Sequence, residues 1–95
     1  MKYVGYYEAK PEIFDKIVEK FQKAAKIREK EPDKFPKMIL PPHTFIGQWT
    51  GFLIYDDPTP EQLTNVTLHY RPELKFKFMP VVESTKVMET FLKSK

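Results

Sequence analysis

The sequence predicts an α+β domain with the element order β-α-β-β-α-β, followed by one further helix. Three observations carry this expectation. Two stretches with apolar residues at helical spacing, each opened by a proline in its first turn (Pro11 and Pro60), separate runs of aromatic and β-branched residues. Leu74-Lys75-Phe76-Lys77-Phe78 alternates strictly, the pattern of a half-buried strand. The length, 95 residues, is that of one domain, so residues 1–95 are read as a single unit.

Residues 1–8 are aromatic and β-branched and read as the first strand. Tyr3 and Tyr7 fall on one face, Val4 and Tyr6 on the other, so both faces carry bulk and both need cover. Pro11 then opens a helix, where its missing N–H costs nothing, and Glu12 and Asp15 favour the positive end of the helix dipole. Ile13, Phe14, Ile17, Val18, Phe21, Ala24 and Ala25 form its apolar stripe. On the opposite side Glu12–Lys16 and Glu19–Lys23 are spaced as i,i+4 pairs worth about 0.3 kcal/mol each. The helix is expected to fade between Arg28 and Glu31, before Pro32.

Residues 31–42 hold Pro32, Pro36, Pro41 and Pro42 and read as a stiff, extended connection, because prolines fit neither a helix interior nor a central strand. The apolar Met38-Ile39-Leu40 within it suits a lid or a dimer contact. His43 to Thr50 reads as the second strand, a turn at Thr50-Gly51 follows, and Phe52 to Tyr55 makes the third strand. Thr59-Pro60-Glu61-Gln62 is a capping-box start for the second helix, whose stripe is Leu63, Val66, Thr67 and Tyr70. The fourth strand ends near Pro80, and Ser84 is placed to cap a last helix with Val87, Met88, Phe91 and Leu92 on its apolar side. The order is that of the ferredoxin-like split βαβ arrangement, which puts both main helices on one sheet face. Tyr3, Tyr6, Tyr7, Phe45, Trp49 and Tyr55 supply more aromatic bulk than two helices can cover, so the second sheet face is expected to dimerise.

Composition excludes several classes of function. With no cysteine there is no disulfide, thiolate zinc site or thiol catalysis, and with only His43 and His69 there is no His-rich metal centre. The three glycines are scattered, so no phosphate-cradling loop exists, and no cofactor is expected. Sixteen Lys+Arg against thirteen Asp+Glu leave a formal charge of +3, but the charges alternate along the first helix instead of forming the basic stripe of a nucleic-acid binder. An RNA-recognition module has the same element order. Its basic-Gly-aromatic signature is absent from Thr50-Gly51-Phe52-Leu53-Ile54-Tyr55, so nucleic acid is not the expected partner. No apolar run is long enough to cross a bilayer and no signal segment opens the chain, so a cytoplasmic location is expected.

Lys2-Tyr3-Val4, Pro11-Glu12, Gly47-Gln48-Trp49 with Gly51-Phe52, and Phe78-Met79-Pro80-Val81-Val82 together resemble a family of small uncharacterised prokaryotic proteins in the dimeric α/β-barrel superfamily. The resemblance covers nearly the whole chain. It implies two ferredoxin-like sheets packed face to face around a lumen. Relatives in that superfamily include cofactor-free monooxygenases, haem-degrading enzymes, isomerases and effector-binding domains. The family itself offers no catalytic residue to carry over.

The expected function is therefore binding of a small aromatic or anionic molecule at or beside the sheet-face interface of a homodimer or higher homo-oligomer. Tyr3, Tyr7, His43, Trp49 and Lys77 are the candidate ligand-binding residues: rings for apolar walls, His43 or Lys77 for a polar anchor. Each has a plainer reading. Trp49 suits dimer packing as well as ligand stacking. His43 is a general base only if some partner orients its ring, and none is legible. Lys75 and Lys77 suit the guarding of an edge strand better than the lining of an anion-binding lumen. Asp56-Asp57 reads as a helix-entry turn, not a metal site. His69 lies one step off its helix's apolar stripe and carries no catalytic expectation. The alternatives are a cofactor-free monooxygenase or isomerase with His43 as base, and a purely structural interaction module.

Overall fold

The computed structural model describes residues 1–95. In chain order the elements are β1 (Lys2–Ala9), a single 3-10 turn (Pro11–Ile13), α1 (Phe14–Lys30), β2 (Lys37–Thr44), β3 (Thr50–Asp56), α2 (Pro60–Tyr70), β4 (Leu74–Val81) and α3 (Ser84–Lys93). The strands form one open antiparallel sheet in the order β2-β3-β1-β4. This α+β architecture, with three helices, is compatible with a ferredoxin-like fold.

Strand register decides which parity faces the helices, a point the sequence leaves open because both parities are bulky. Tyr7 pairs with Gly51 on one side and Phe76 on the other, and Gly5 pairs with Leu53 and Phe78. These positions, with Tyr55 and Leu74, pack against Ile17 and Ala24 of α1 and Val66 and Tyr70 of α2 to form the core. Burying each large apolar side chain here contributes roughly 1.5–3 kcal/mol. The other parity, including Val4, Tyr6, Phe52 and Ile54, lies on the uncovered face and is half-buried by its strand neighbours alone.

The hairpin departs from expectation. β2 covers Lys37–Thr44, not His43–Thr50, and the chain reverses through residues 45–49, not at Thr50-Gly51. The Phe45 N–H donates to the Thr50 carbonyl (3.0 Å), and the Gln48 N–H donates to the Phe45 carbonyl (3.1 Å). Gly47 supplies the left-handed residue of this turn at φ 76°. Pro41 and Pro42 are tolerated within β2 because it is an edge strand, and the register slips between Leu40 and His43 where they fall. The proline-rich segment is thus partly a strand, and Trp49 is a loop residue.

The helix starts follow the sequence more closely. Thr59 Oγ1 accepts from the Gln62 N–H (3.1 Å) while Gln62 Oε1 accepts from the Thr59 N–H (3.0 Å), which closes the capping box. At α3 it is Glu83 that occupies the cap position, with no side-chain cap bond, and Ser84 is the first helical residue. The ion pairs on α1 also differ. Neither Glu12–Lys16 nor Glu19–Lys23 closes; instead Lys20 Nζ reaches across to the buried Glu73 Oε2 at 2.6 Å, tying α1 to the start of β4.

α3 stands apart. Every one of its residues is exposed, and Val87, Met88, Phe91 and Leu92 are each more than half exposed. The radius of gyration is 15.5 Å, against about 12 Å for a compact chain of this length. No helix is long and apolar enough to cross a membrane.

Candidate functional site

The stripe on α1 is wider than the sheet beneath it. Ile17 and Ala24 are buried against the strands, while Phe14, Val18 and Phe21 on the same stripe remain partly exposed. They overhang a cleft of about 590 Å³ between the N-terminal half of α1 and the β2–β3 hairpin. Tyr7 and Leu74 line it from the sheet, Thr44 and Trp49 from the hairpin. Trp49 is 50% exposed, meets the Phe14 ring edge-on with centroids 5.7 Å apart, and is held by its carbonyl, which accepts from the Ala9 N–H at 2.7 Å. The Tyr7 hydroxyl lies 3.5 Å from the His43 carbonyl and 3.4 Å from Thr44 Oγ1, a polar point in a mostly apolar wall.

Behind this cleft lies a second chamber of about 190 Å³ under the C-terminal half of α1. The two share Tyr7, Phe21, Pro42 and Leu74 as a common wall. Besides Tyr7, three residues lining the inner chamber carry polar side-chain groups: Arg28, Tyr55 and Tyr70. Burial pushes the Tyr70 hydroxyl up to about 12 and the Tyr55 hydroxyl higher still, with the nearby Arg28 guanidinium opposing both shifts. Arg28 donates to the Pro36 carbonyl (2.9 Å) and lies over the Phe35 ring.

The five residues singled out from the sequence do not converge. Tyr7 and Trp49 share the outer cleft. Tyr3 is on the same sheet face as Tyr7 but about 13 Å further along β1, outside the cleft. His43 and Lys77 are on the opposite face. His43 pairs with Phe52, Phe52 with Tyr6 and Tyr6 with Lys77, so these two residues end one row that crosses the whole sheet, about 14 Å apart. Lys75 and Lys77 are both exposed on the edge strand β4.

His43 has the orienting partner that the sequence hides. Its Nδ1 lies 2.6 Å from the Pro41 carbonyl. A carbonyl only accepts, so Nδ1 carries the proton of this bond, which fixes the orientation of the ring. The ring packs beside Phe52 at 5.9 Å. His69 is structural: its Nε2 donates to the Lys20 carbonyl at 2.9 Å, and its ring meets Tyr70 edge-on at 4.7 Å. Asp57 receives the N-terminal ammonium at 2.8 Å in a turn with φ 46°, and no group of three or more His, Asp or Glu residues is gathered to hold a metal.

Arg28 is the residue that sequence reasoning missed. It was legible in principle: four residues after Ala24 and seven after Phe21, it continues the apolar stripe of α1 toward the sheet. A charged residue on an apolar stripe needs a polar counterpart inside.

The chain matches no protein-family model, and neither a search of curated proteins nor one of solved structures found a match.

Proposed function

We propose that the chain is a homodimeric small-molecule-binding domain of the dimeric α/β-barrel kind, and that its ligand enters the cleft between α1 and the β2–β3 hairpin. One observation carries the binding reading: rings from α1, β1 and the hairpin surround an open, mostly apolar cleft with the Tyr7 and Thr44 hydroxyls set in its wall. Phe14, Phe21 and Trp49 are left partly exposed there, an arrangement whose desolvation favours a ligand with apolar or aromatic bulk. The site sits on the helix side of the sheet, so the lysine and histidine of the other face are not its anchors.

The dimer reading rests on the other face. Only 13 of the 95 residues are buried, so one copy supplies a small core. Val4, Tyr6, Phe52 and Ile54 offer a continuous apolar strip across β1 and β3, and the bare apolar side of α3 adds a second surface. A second copy brings the same two surfaces, which makes a self-complementary contact through a two-fold axis the economical cover for both.

Titration of Trp49 fluorescence with 8-phenyloctan-1-ol, an uncharged probe, tests the cleft. Trp49 is the sole tryptophan, so the signal reports this site. Saturable change is expected, and Val18→Glu, which places a charge in the cleft wall, should abolish it without altering the circular dichroism spectrum. Absence of saturation in the parent protein would remove the reading.

A further inference from the structure

We infer that the inner chamber is an anion-recognition site in which Arg28, Tyr55 and Tyr70 bind the carboxylate of an amphiphilic ligand whose apolar body lies in the outer cleft. The inference deepens the proposed small-molecule function and rests on it.

The first observation is a charge without a partner. The ion pairs of the chain join the N-terminus to Asp57, Lys2 to Glu83, Lys20 to Glu73 and Lys34 to Glu31. Arg28 has no carboxylate, although it is half-buried and lines a chamber that is otherwise largely apolar. One of its nitrogens is used on the Pro36 carbonyl; a guanidinium has five N–H donors, so most remain for a ligand.

The second observation concerns the two tyrosines. Tyr55 is 2% exposed and Tyr70 is 7% exposed. Within the chain only the Tyr7 hydroxyl is hydrogen-bonded among the tyrosines. No buried side-chain polar atom is both sealed from open space and unpaired. The Tyr55 and Tyr70 hydroxyls therefore border open space, and both side chains line the chamber that Arg28 lines. Two neutral phenol donors beside a fixed cation form a site for a carboxylate, which accepts through both oxygens and supplies the missing charge. A neutral head group would leave Arg28 uncompensated in a partly dry environment.

The third observation is that the two spaces adjoin along α1 and share Tyr7, Phe21, Pro42 and Leu74 in their lining. Phe14, Val18 and Phe21 border the outer cleft; Phe21, Ala25 and Arg28 border the inner chamber. From Phe14 to Arg28 the helix rises about 21 Å. The polar groups are at one end and Trp49 at the other, so the ligand is an elongated molecule with one anionic end.

Calorimetric titration with 8-phenyloctanoate, beside 8-phenyloctan-1-ol as the uncharged match, tests this. The carboxylate should bind at least tenfold more tightly. Tyr55→Phe combined with Tyr70→Phe removes only two oxygens and should erase most of that ratio by weakening the carboxylate far more than the alcohol. Arg28→Met should do the same if it folds; because Arg28 also holds the Pro36 carbonyl, the tyrosine variant is the decisive one. Equal binding of the two probes, or a ratio unmoved by the double tyrosine variant, overturns this inference and leaves the outer cleft standing. Failure of both probes to bind overturns the cleft reading and this inference together.

Discussion

The ring of Tyr7 lies across Gly51, its register partner on β3, and occupies the space that a Cβ on Gly51 would need. The same absent Cβ would also meet the His43 carbonyl oxygen. Gly51 is thus required by the Tyr7 side chain and the β2 backbone at His43, and not by a turn. Gly51→Ala should displace the Tyr7 ring and cost about 1–3 kcal/mol in urea unfolding, the usual penalty for overpacking. In a Tyr7→Ala background the same substitution should cost less, keeping only the part that comes from the His43 carbonyl. Additive costs in this cycle would show that the two residues do not compete for one space.

The Lys20–Glu73 pair should make stability depend on acid pH. The hydrogen bond from Lys20 to Glu73, opposed in part by burial, holds the carboxyl below the ordinary carboxylate range. Glu73 is therefore depressed in the folded state. Its contribution is fully present above the unfolded pKa of about 4.3 and is lost as pH falls through the folded value. The stability difference between the parent protein and Lys20→Met, followed by thermal unfolding, should be steady near neutrality and shrink in strong acid to the part held by the bond from Lys20 to the Arg71 carbonyl (2.7 Å). A difference that does not change with pH would mean that the Glu73 carboxylate contributes nothing to it.

Tyr55 and Tyr70 should titrate above the ordinary tyrosine range. Burial raises both, Tyr70 to about 12 and Tyr55 beyond it. Because the neutral form is the one favoured in the fold, stability should hold below about pH 10, where unfolded tyrosine ionises, and fall as pH rises above it. Phenolate absorbance should show a late phase, from Tyr55 and Tyr70, that coincides with unfolding. Full ionisation in a single early phase would contradict the burial of these rings.

Thr59→Ala should cost about 1 kcal/mol, the typical value for loss of an N-cap. Gln62 also donates through Nε2 to the Asp33 carbonyl at 3.0 Å, so Gln62→Ala should remove both half of the capping box and a tie between α2 and the segment before β2. Urea unfolding of the two variants checks the order: if Gln62→Ala is neutral while Thr59→Ala is not, the tie has no weight.

The exposed apolar side of α3 gives the dimer proposal its test. Sedimentation of the parent protein should give twice the chain mass of 11.3 kDa, and Phe91→Glu with Leu92→Glu should shift it toward one copy. A parent protein that sediments as one copy at micromolar concentration rules the dimer out.

The sequence by itself determined the number, kind and order of the elements. It did so where one residue type has a local physical reason: proline at helix starts, the Thr59–Gln62 capping box, and the alternation of Leu74 to Phe78, whose two faces differ in polarity. It misplaced the hairpin because two glycines four residues apart can each make a turn, and only tertiary contact with Tyr7 distinguishes Gly51 from Gly47. It could not sort Tyr3, Tyr7, His43, Trp49 and Lys77 into separate places, because β1 is bulky on both faces and strand parity is decided by pairing partners distant in the chain. The gathering of Arg28, Tyr55 and Tyr70 around one chamber belongs wholly to the tertiary structure: the three lie on α1, β3 and α2, and no local rule links them before the helices close over the sheet.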